Sequence, residues 1–269
     1  MITMDNRVRF CIAVMLFVVV ATQAVAMSYA ATISVDSTPT NNKGILIGVQ
    51  YTVWGDSGGP AFSTLKAAGF TMVGTVAFSN FLSSDWSQLK KWIQAAHDYG
   101  FTTFVIIGDP TTFSSAVDMS KRVAAMNVDV IILDEPISRY SVTKQQLQKA
   151  INDILAVNKN VHFIIDEYVT ANIQEAYQWT TPYPCVRVAT DDYYSQSTIT
   201  LGISLASQEG KRAAAWIAFA QDNMAVLTPC YSNLNNWLGY VKGKPVDVFF
   251  YYAGAAGGWQ LNWPKVLAF

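Results

Sequence analysis

Eight short apolar runs rich in β-branched residues recur at intervals of roughly 25 to 34 residues, with amphipathic helical segments between most of them. They cover 45–53, 71–78, 102–108, 128–133, 161–165, 186–189, 213–218 and 246–252. Each is continuously apolar rather than alternating, which marks strands covered on both faces and therefore a parallel sheet. The intervening helices are clearest at 85–99 and 143–157. In the first, Trp86, Leu89, Ile93 and Ala96 share one face and Gly100 ends the run. In the second, Thr143 and Gln146 have the spacing of a capping box. Eight strand–helix alternations in one domain are the count of a single (β/α)8 TIM-type barrel, with the last helix short or missing because little chain follows the eighth run. An open doubly wound sheet is the rival arrangement.

The N-terminal segment reads separately. Arg7 and Arg9 precede an apolar stretch of about 12 residues, too short for a membrane span of about 20, followed by small residues around Ala26 and Ala30. Residues 1–30 are expected to be a secretory signal peptide and residues 31–269 a barrel domain. The product is expected in the extracellular space or periplasm as a monomer, without a membrane association once the leader is cleaved. Removing the leader leaves Cys185 and Cys230, an even pair in an oxidising compartment that leaves a disulfide open. A formal charge of −1 and the absence of any Lys/Arg cluster argue against nucleic acid as a partner.

In a barrel of this kind the site is built by residues at the C-terminal ends of the strands. Two identical acidic pairs stand there, Asp134-Glu135 in VIILDEP and Asp166-Glu167 in FIIDEYV. The chain has four glutamates in all, so two of them falling behind apolar runs is a placement that calls for a reason. Tyr51, Trp54 and Asp56 follow run one, Ser79 and Asn80 run two, and Asp109 run three. Asp191, Asp192, Tyr193 and Tyr194 follow run six, Gln221 and Asp222 run seven, and Tyr252 and Trp259 lie at and beyond run eight. Nine of nineteen acidic residues thus collect at one end, and the nearest basic residue behind a run is Arg139. Crowded carboxylates lift one another's pKa toward a useful range.

Other chemistries lack their residues. Both histidines, His97 and His162, lie away from the strand ends, so a His-ligated zinc is not indicated, and neither a Schiff-base lysine nor a Ser-His pair is present there. No cofactor or metal is called for. Glycines Gly254, Gly257 and Gly258 read as loop formers rather than a phosphate cradle. Carboxylates beside aromatic platforms suit an oligo- or polysaccharide substrate, with aromatic faces stacking on sugar rings. The candidate catalytic residues are Glu135, Asp134 and Glu167. The candidate substrate contacts are Trp54, Tyr51, Asp109, Asp166, Asp191, Asp192, Tyr193, Gln221, Tyr252 and Trp259.

The run Ile132-Leu133-Asp134-Glu135-Pro136 resembles the strand-four Asp-Glu-Pro signature of glycoside hydrolase family 123 and the Asp-Glu pair of family 20 hexosaminidases. It is also similar to the pair carried by spherulin-4-like barrels, which include endo-galactosaminidases. The resemblance implies substrate-assisted hydrolysis of an N-acetylhexosaminide, with Asp134 orienting the 2-acetamido group and Glu135 as general acid and then base. The family 20 His-x-Gly-Gly is absent, and the family 18 chitinase signature is met from Asp129 only at Asp134. Read without the resemblance, the residues allow a two-carboxylate reaction, with Glu167, Asp191 or Asp192 as nucleophile or base. They also allow a non-catalytic carbohydrate-binding barrel, or one binding a divalent cation through Asp134, Asp166 and Asp191.

Overall fold

The computed structural model describes residues 43–47, 62–67, 69–190, 196–218 and 240–252. Eight parallel strands close into a barrel in sequential order. They are β1 (Lys43–Ile47), β2 (Met72–Phe78), β3 (Thr102–Gly108), β4 (Val130–Asp134), β5 (His162–Glu167), β6 (Val186–Thr190), β7 (Ala213–Ala218) and β8 (Val246–Tyr252). Among the described residues the helices are α1 (Phe62–Ala67), α2 (Ser83–Asp98), α3 (Phe113–Ala124), α4 (Pro136–Tyr140), α5 (Lys144–Leu155), α6 (Thr170–Thr180) and α7 (Gln196–Gln208). The closed parallel barrel is the architecture that the recurrence of apolar runs indicates. Residues 1–30, where a leader is expected, the segment after β8 and Cys230 lie outside the described residues, while Cys185 is a buried free thiol.

Two apolar layers follow from the side-chain period of two along a strand. One set of strand residues, including Val105, Ile131, Leu133, Ile165 and Val188, packs on the helices. The alternate set, including Phe104, Ile132, Ile164, Trp216 and Phe249, forms a separate cluster of strand residues that fills the lumen. Phe104, Trp216 and Phe249 form an aromatic plug with centroid separations of 5.2 to 6.2 Å. Glycine makes that plug possible, because a Cβ on Gly74 would stand 2.0 Å from the Phe104 ring and one on Gly44 2.6 Å from Phe249.

The helices follow their local signals. α2 buries Trp86, Leu89, Ile93 and Ala96, and the chain leaves it through Gly100 at φ 74°. It starts two residues earlier than the sequence indicates, because Asp85 is not its first residue but its third, accepting from the Leu82 N–H at 2.7 Å. The Thr143–Gln146 capping box is formed at α5, with N–H donations of 2.8 and 3.3 Å.

The floor of the barrel is ionic. Asp247, fully buried on β8, is paired with Arg187 of β6 and with Arg212, whose Nη2 lies 3.0 Å away. His97 and Asp129 also belong to this end. The Asp129 carboxylate accepts from the Thr103 N–H at 2.7 Å and meets His97 Nε2 at 2.8 Å. Asp129 therefore braces α2 against β3 and β4, far along the strand from the mouth.

Candidate active site at the barrel mouth

Alternation places the two acidic pairs. Ile132 and Ile164 face the lumen, so Asp134 and Asp166 continue the same inward rows, in register with each other on neighbouring strands. Leu133 and Ile165 face the helices, and Glu167 shares their side. The strands run further than the apolar runs suggest: β4 includes Asp134, and β5 includes both Asp166 and Glu167, which pair with Ala189 and Thr190. Backbone pairing outlasts the hydrophobic run because these acids still face either the lumen or a helix rather than open solvent.

Glu135 is the first residue past β4. Its N–H donates to the Asp166 carbonyl at 2.9 Å, and its backbone then turns left-handed at φ 48°, ψ 48°. For a non-glycine residue that conformation costs on the order of 1–3 kcal/mol and is concentrated at functional sites. Asp109, at the end of β3, repeats the feature with φ 47°. Both residues precede a proline. Pro136 occupies the first turn of α4, where its missing N–H is no loss.

The five-residue helix α4 folds the chain back over the mouth. Arg139 Nη1 reaches Asp134 Oδ2 at 2.9 Å, and the Tyr140 hydroxyl donates to the Pro110 carbonyl at 2.9 Å, tying the β4 loop to the β3 loop. Arg139, the nearest basic residue behind a run in the sequence, is thus brought by α4 back onto Asp134. Ser79 makes a further tie, its hydroxyl donating to the Asp109 carbonyl at 3.1 Å.

The N-terminus of α4 is capped from a different strand. Glu135, although in the N-cap position, makes no side-chain capping bond. Instead, Glu167 Oε1 accepts the Ile137 N–H at 2.6 Å, and Oε2 accepts the Ser138 hydroxyl at 2.5 Å and its N–H at 3.3 Å. Asn172 of α6 donates to the same Ser138 hydroxyl oxygen at 2.7 Å. Glu167 is 0% exposed.

Electrostatics follow from burial and crowding. Burial raises the Asp134 pKa, Arg139 opposes the rise and Asp109 adds to it. Glu135 is also raised, by burial first and then by Asp134, with Arg139 again opposing and Glu167 contributing. Burial raises Glu167 against the pull of its hydrogen bonds from Ser138 and Ile137. A raised carboxyl that retains a proton and is not used in capping can act as a general acid.

The mouth therefore brings together Asp109, Asp134, Glu135 and Asp166, while Glu167 is turned to the helix side of β5. Asp166 is 4% exposed. Tyr252 closes β8 opposite Ile47 in register. Tyr51, Trp54, Asp191, Asp192, Tyr193, Gln221 and Trp259 lie outside the described residues. Among the described residues no group of three His, Cys, Asp or Glu side chains is placed to hold a metal ion. Arg139, Ser138, Tyr140 and Asn172 carry structural parts that the sequence reading did not assign. The signal available for the first three was Pro136, a helix-initiating residue directly behind the acidic pair.

No protein-family model and no curated protein sequence matches the chain. Solved structures do match in fold. Thermotoga maritima Cel5A, determined with a mannotriose substrate, aligns with a TM-score of 0.58 at 13% identity over 82% of this chain and 92% of its own. A family 18 chitinase from Pseudoalteromonas aurantia aligns at 0.51 and 11% identity, over 83% and 98%. An N-acetylneuraminate lyase from Aliivibrio salmonicida aligns at 0.52 and 9% identity, over 78% and 70%. At these identities the likeness is one of fold: the chain shares the TIM barrel with glycosidases and with aldolases alike.

Proposed function

We propose that this chain is a glycoside hydrolase in which Glu135 protonates the glycosidic oxygen. One observation carries the reading: at the barrel mouth, on a left-handed backbone, Glu135 has a carboxyl that makes no capping bond and has a raised pKa. Such a group keeps its proton to higher pH than an ordinary glutamate and can deliver it to a leaving oxygen. Asp134 beside it, fixed by Arg139 through one oxygen, has its other oxygen to accept a hydrogen bond from the substrate.

The chemistry we favour is substrate-assisted cleavage of an N-acetylhexosaminide. The acetamido oxygen attacks the anomeric carbon as Glu135 gives its proton to the departing oxygen, and Asp134 accepts the acetamido N–H. Glu135, now ionised, takes a proton from the water that opens the cyclic intermediate. This route needs no second reacting carboxylate, which suits a mouth where Glu167 is turned to the helices. Asp109 and Asp166 would hydrogen-bond sugar hydroxyls, with Tyr51, Trp54, Asp191, Asp192, Tyr193, Gln221, Tyr252 and Trp259 as further contacts from the rim. Export through the N-terminal leader and action as a monomer belong to the same proposal.

The test is hydrolysis of a panel of aryl glycosides that includes N-acetylhexosaminides and mannosides. Glu135→Gln should lower turnover by about 10²–10⁴-fold with an unchanged melting temperature. Full activity in that variant ends the assignment. Binding of chitooligosaccharides that is indifferent to the substitution, without turnover by either protein, would identify a non-catalytic barrel instead.

A further inference from the structure

We infer that Glu167 is a positioning residue: it caps α4 in place of Glu135 and so leaves the Glu135 carboxyl free to react. The inference rests on the glycosidase reading for its consequence, but its geometry stands alone. An acceptor side chain in the N-cap position ordinarily takes the N–H groups two or three residues ahead. Glu135 occupies that position before Ile137 and Ser138, so its own side chain is the natural competitor for their N–H groups.

Glu167 forecloses that competition. It approaches from β5, accepts from Ile137 and Ser138 with both oxygens, and is fully buried on the helix side of the strand. Strand parity explains why. Glu167 shares the outward side of β5 with Ile165, whereas Asp166 is inward with Ile164. Asn172 completes the clamp by donating to the Ser138 hydroxyl, which in turn donates to Glu167.

The clamp also fixes the far end of α4. Ile137 and Ser138 are held at one end, and Arg139 and Tyr140 at the other reach Asp134 and Pro110. With α4 held at both ends, the left-handed turn at Glu135 has one arrangement. The two Asp-Glu pairs, identical in sequence, thus divide the work: the β4 pair supplies reacting groups and Glu167 of the β5 pair sets their position. The two-carboxylate alternative, with Glu167 as nucleophile, is replaced by this role.

The test uses the full-length protein and two charge-preserving variants, Ser138→Ala and Asn172→Ala, beside Glu167→Gln and Glu167→Ala. Carbon-13 carboxyl titration follows Glu135, which faces Asp134, Arg139 and Glu167. Its midpoint should fall toward the ordinary carboxyl range in Ser138→Ala, as a loosened α4 admits water. On any aryl glycoside that the parent protein hydrolyses, kcat should fall about 10-fold with KM within about 2-fold. A Glu135 midpoint unmoved in both charge-preserving variants, with melting temperature alone reduced, overturns the inference. So does restoration of Glu167→Ala activity by azide with formation of a glycosyl azide, which marks a nucleophile. If the parent cleaves no glycoside, the glycosidase reading fails while the titration still decides the positioning role.

Discussion

The Glu135 N–H donates to the carbonyl of Asp166 at 2.9 Å, so the backbone of the first acidic pair is tied to that of the second. The left-handed turn after β4 begins from this fixed point. Beyond it, the side chains of the two pairs part company, Asp134 and Asp166 into the lumen and Glu167 toward α4 and α6. A sequence repeat becomes two different devices because β5 continues through Glu167, which stays on the helix side, whereas β4 ends at Asp134 and Glu135 turns left-handed.

The first prediction concerns the pH dependence of turnover. A general acid must be protonated, so activity is lost as pH rises through the pKa of Glu135. Because Glu135 is raised by burial and by Asp134, that limb lies above the ordinary carboxylate range. Arg139→Ala removes the opposing cation and should move the limb to higher pH. Asp134→Asn removes a repelling charge and should move it lower. A kcat/KM profile of the three proteins reads both shifts, and identical limbs would remove Glu135 from the acid role.

Stability should depend on pH in the opposite sense to that of most carboxylate-paired proteins. Asp134, Glu135 and Glu167 all have folded pKa values above their ordinary ones. Between the ordinary and the raised values the folded state binds more protons than the unfolded state, so stability falls as pH rises through that window. Asp153, lowered by its hydrogen bond from Lys149, and His162, lowered by burial and by Arg187, act the other way, and the partly exposed Asp153 pair is screened by solvent. The contribution of these three carboxyls to the melting temperature should therefore decline as pH rises across the acidic range. Substituting Glu135→Gln and Asp134→Asn together should flatten the decline, and a slope unaffected by both would contradict the burial argument.

Much of this architecture was legible before any coordinates. The runs at 102–108, 213–218 and 246–252 coincide with β3, β7 and β8, because a strand sandwiched between lumen and helices is apolar throughout. The ends of β4 and β5 were not legible, since Asp134, Asp166 and Glu167 are polar residues inside strands and hydrophobicity marks only the part of a strand that is fully enclosed. The mouth was half legible. Its acids stood out against a chain poor in glutamate, but which of them face the lumen depends on parity counted from Ile132 and Ile164. The return of Arg139 onto Asp134 depends on α4, five residues long and too short to leave a periodic pattern.

The aromatic plug gives a packing prediction. Gly74→Ala would place a methyl 2.0 Å from the Phe104 ring, which is held by Trp216 and Phe249 and cannot withdraw. The overpacked lumen should lose about 1–3 kcal/mol of stability. Adding Phe104→Leu should recover part of the loss by vacating the ring's space. Chemical denaturation of the single and double variants measures both values, and additive losses would mean that Gly74 and Phe104 are not in conflict.

The last prediction separates the two ends of the barrel. Asp247 is fully buried between Arg187 and Arg212 at the floor, away from Asp134 and Glu135 at the mouth. Asp247→Asn keeps the shape but leaves two guanidinium groups without their shared carboxylate, and breaking such a buried pair costs about 3–5 kcal/mol. If catalysis belongs to the mouth, the variant that remains folded at low temperature should keep its kcat and the pH limb of Glu135. Denaturant melts and a low-temperature pH–rate profile measure the two properties separately. A large kcat loss with little loss of stability would move the reacting groups to the floor, and neither Glu135 nor the α4 clamp would then have a part in the chemistry.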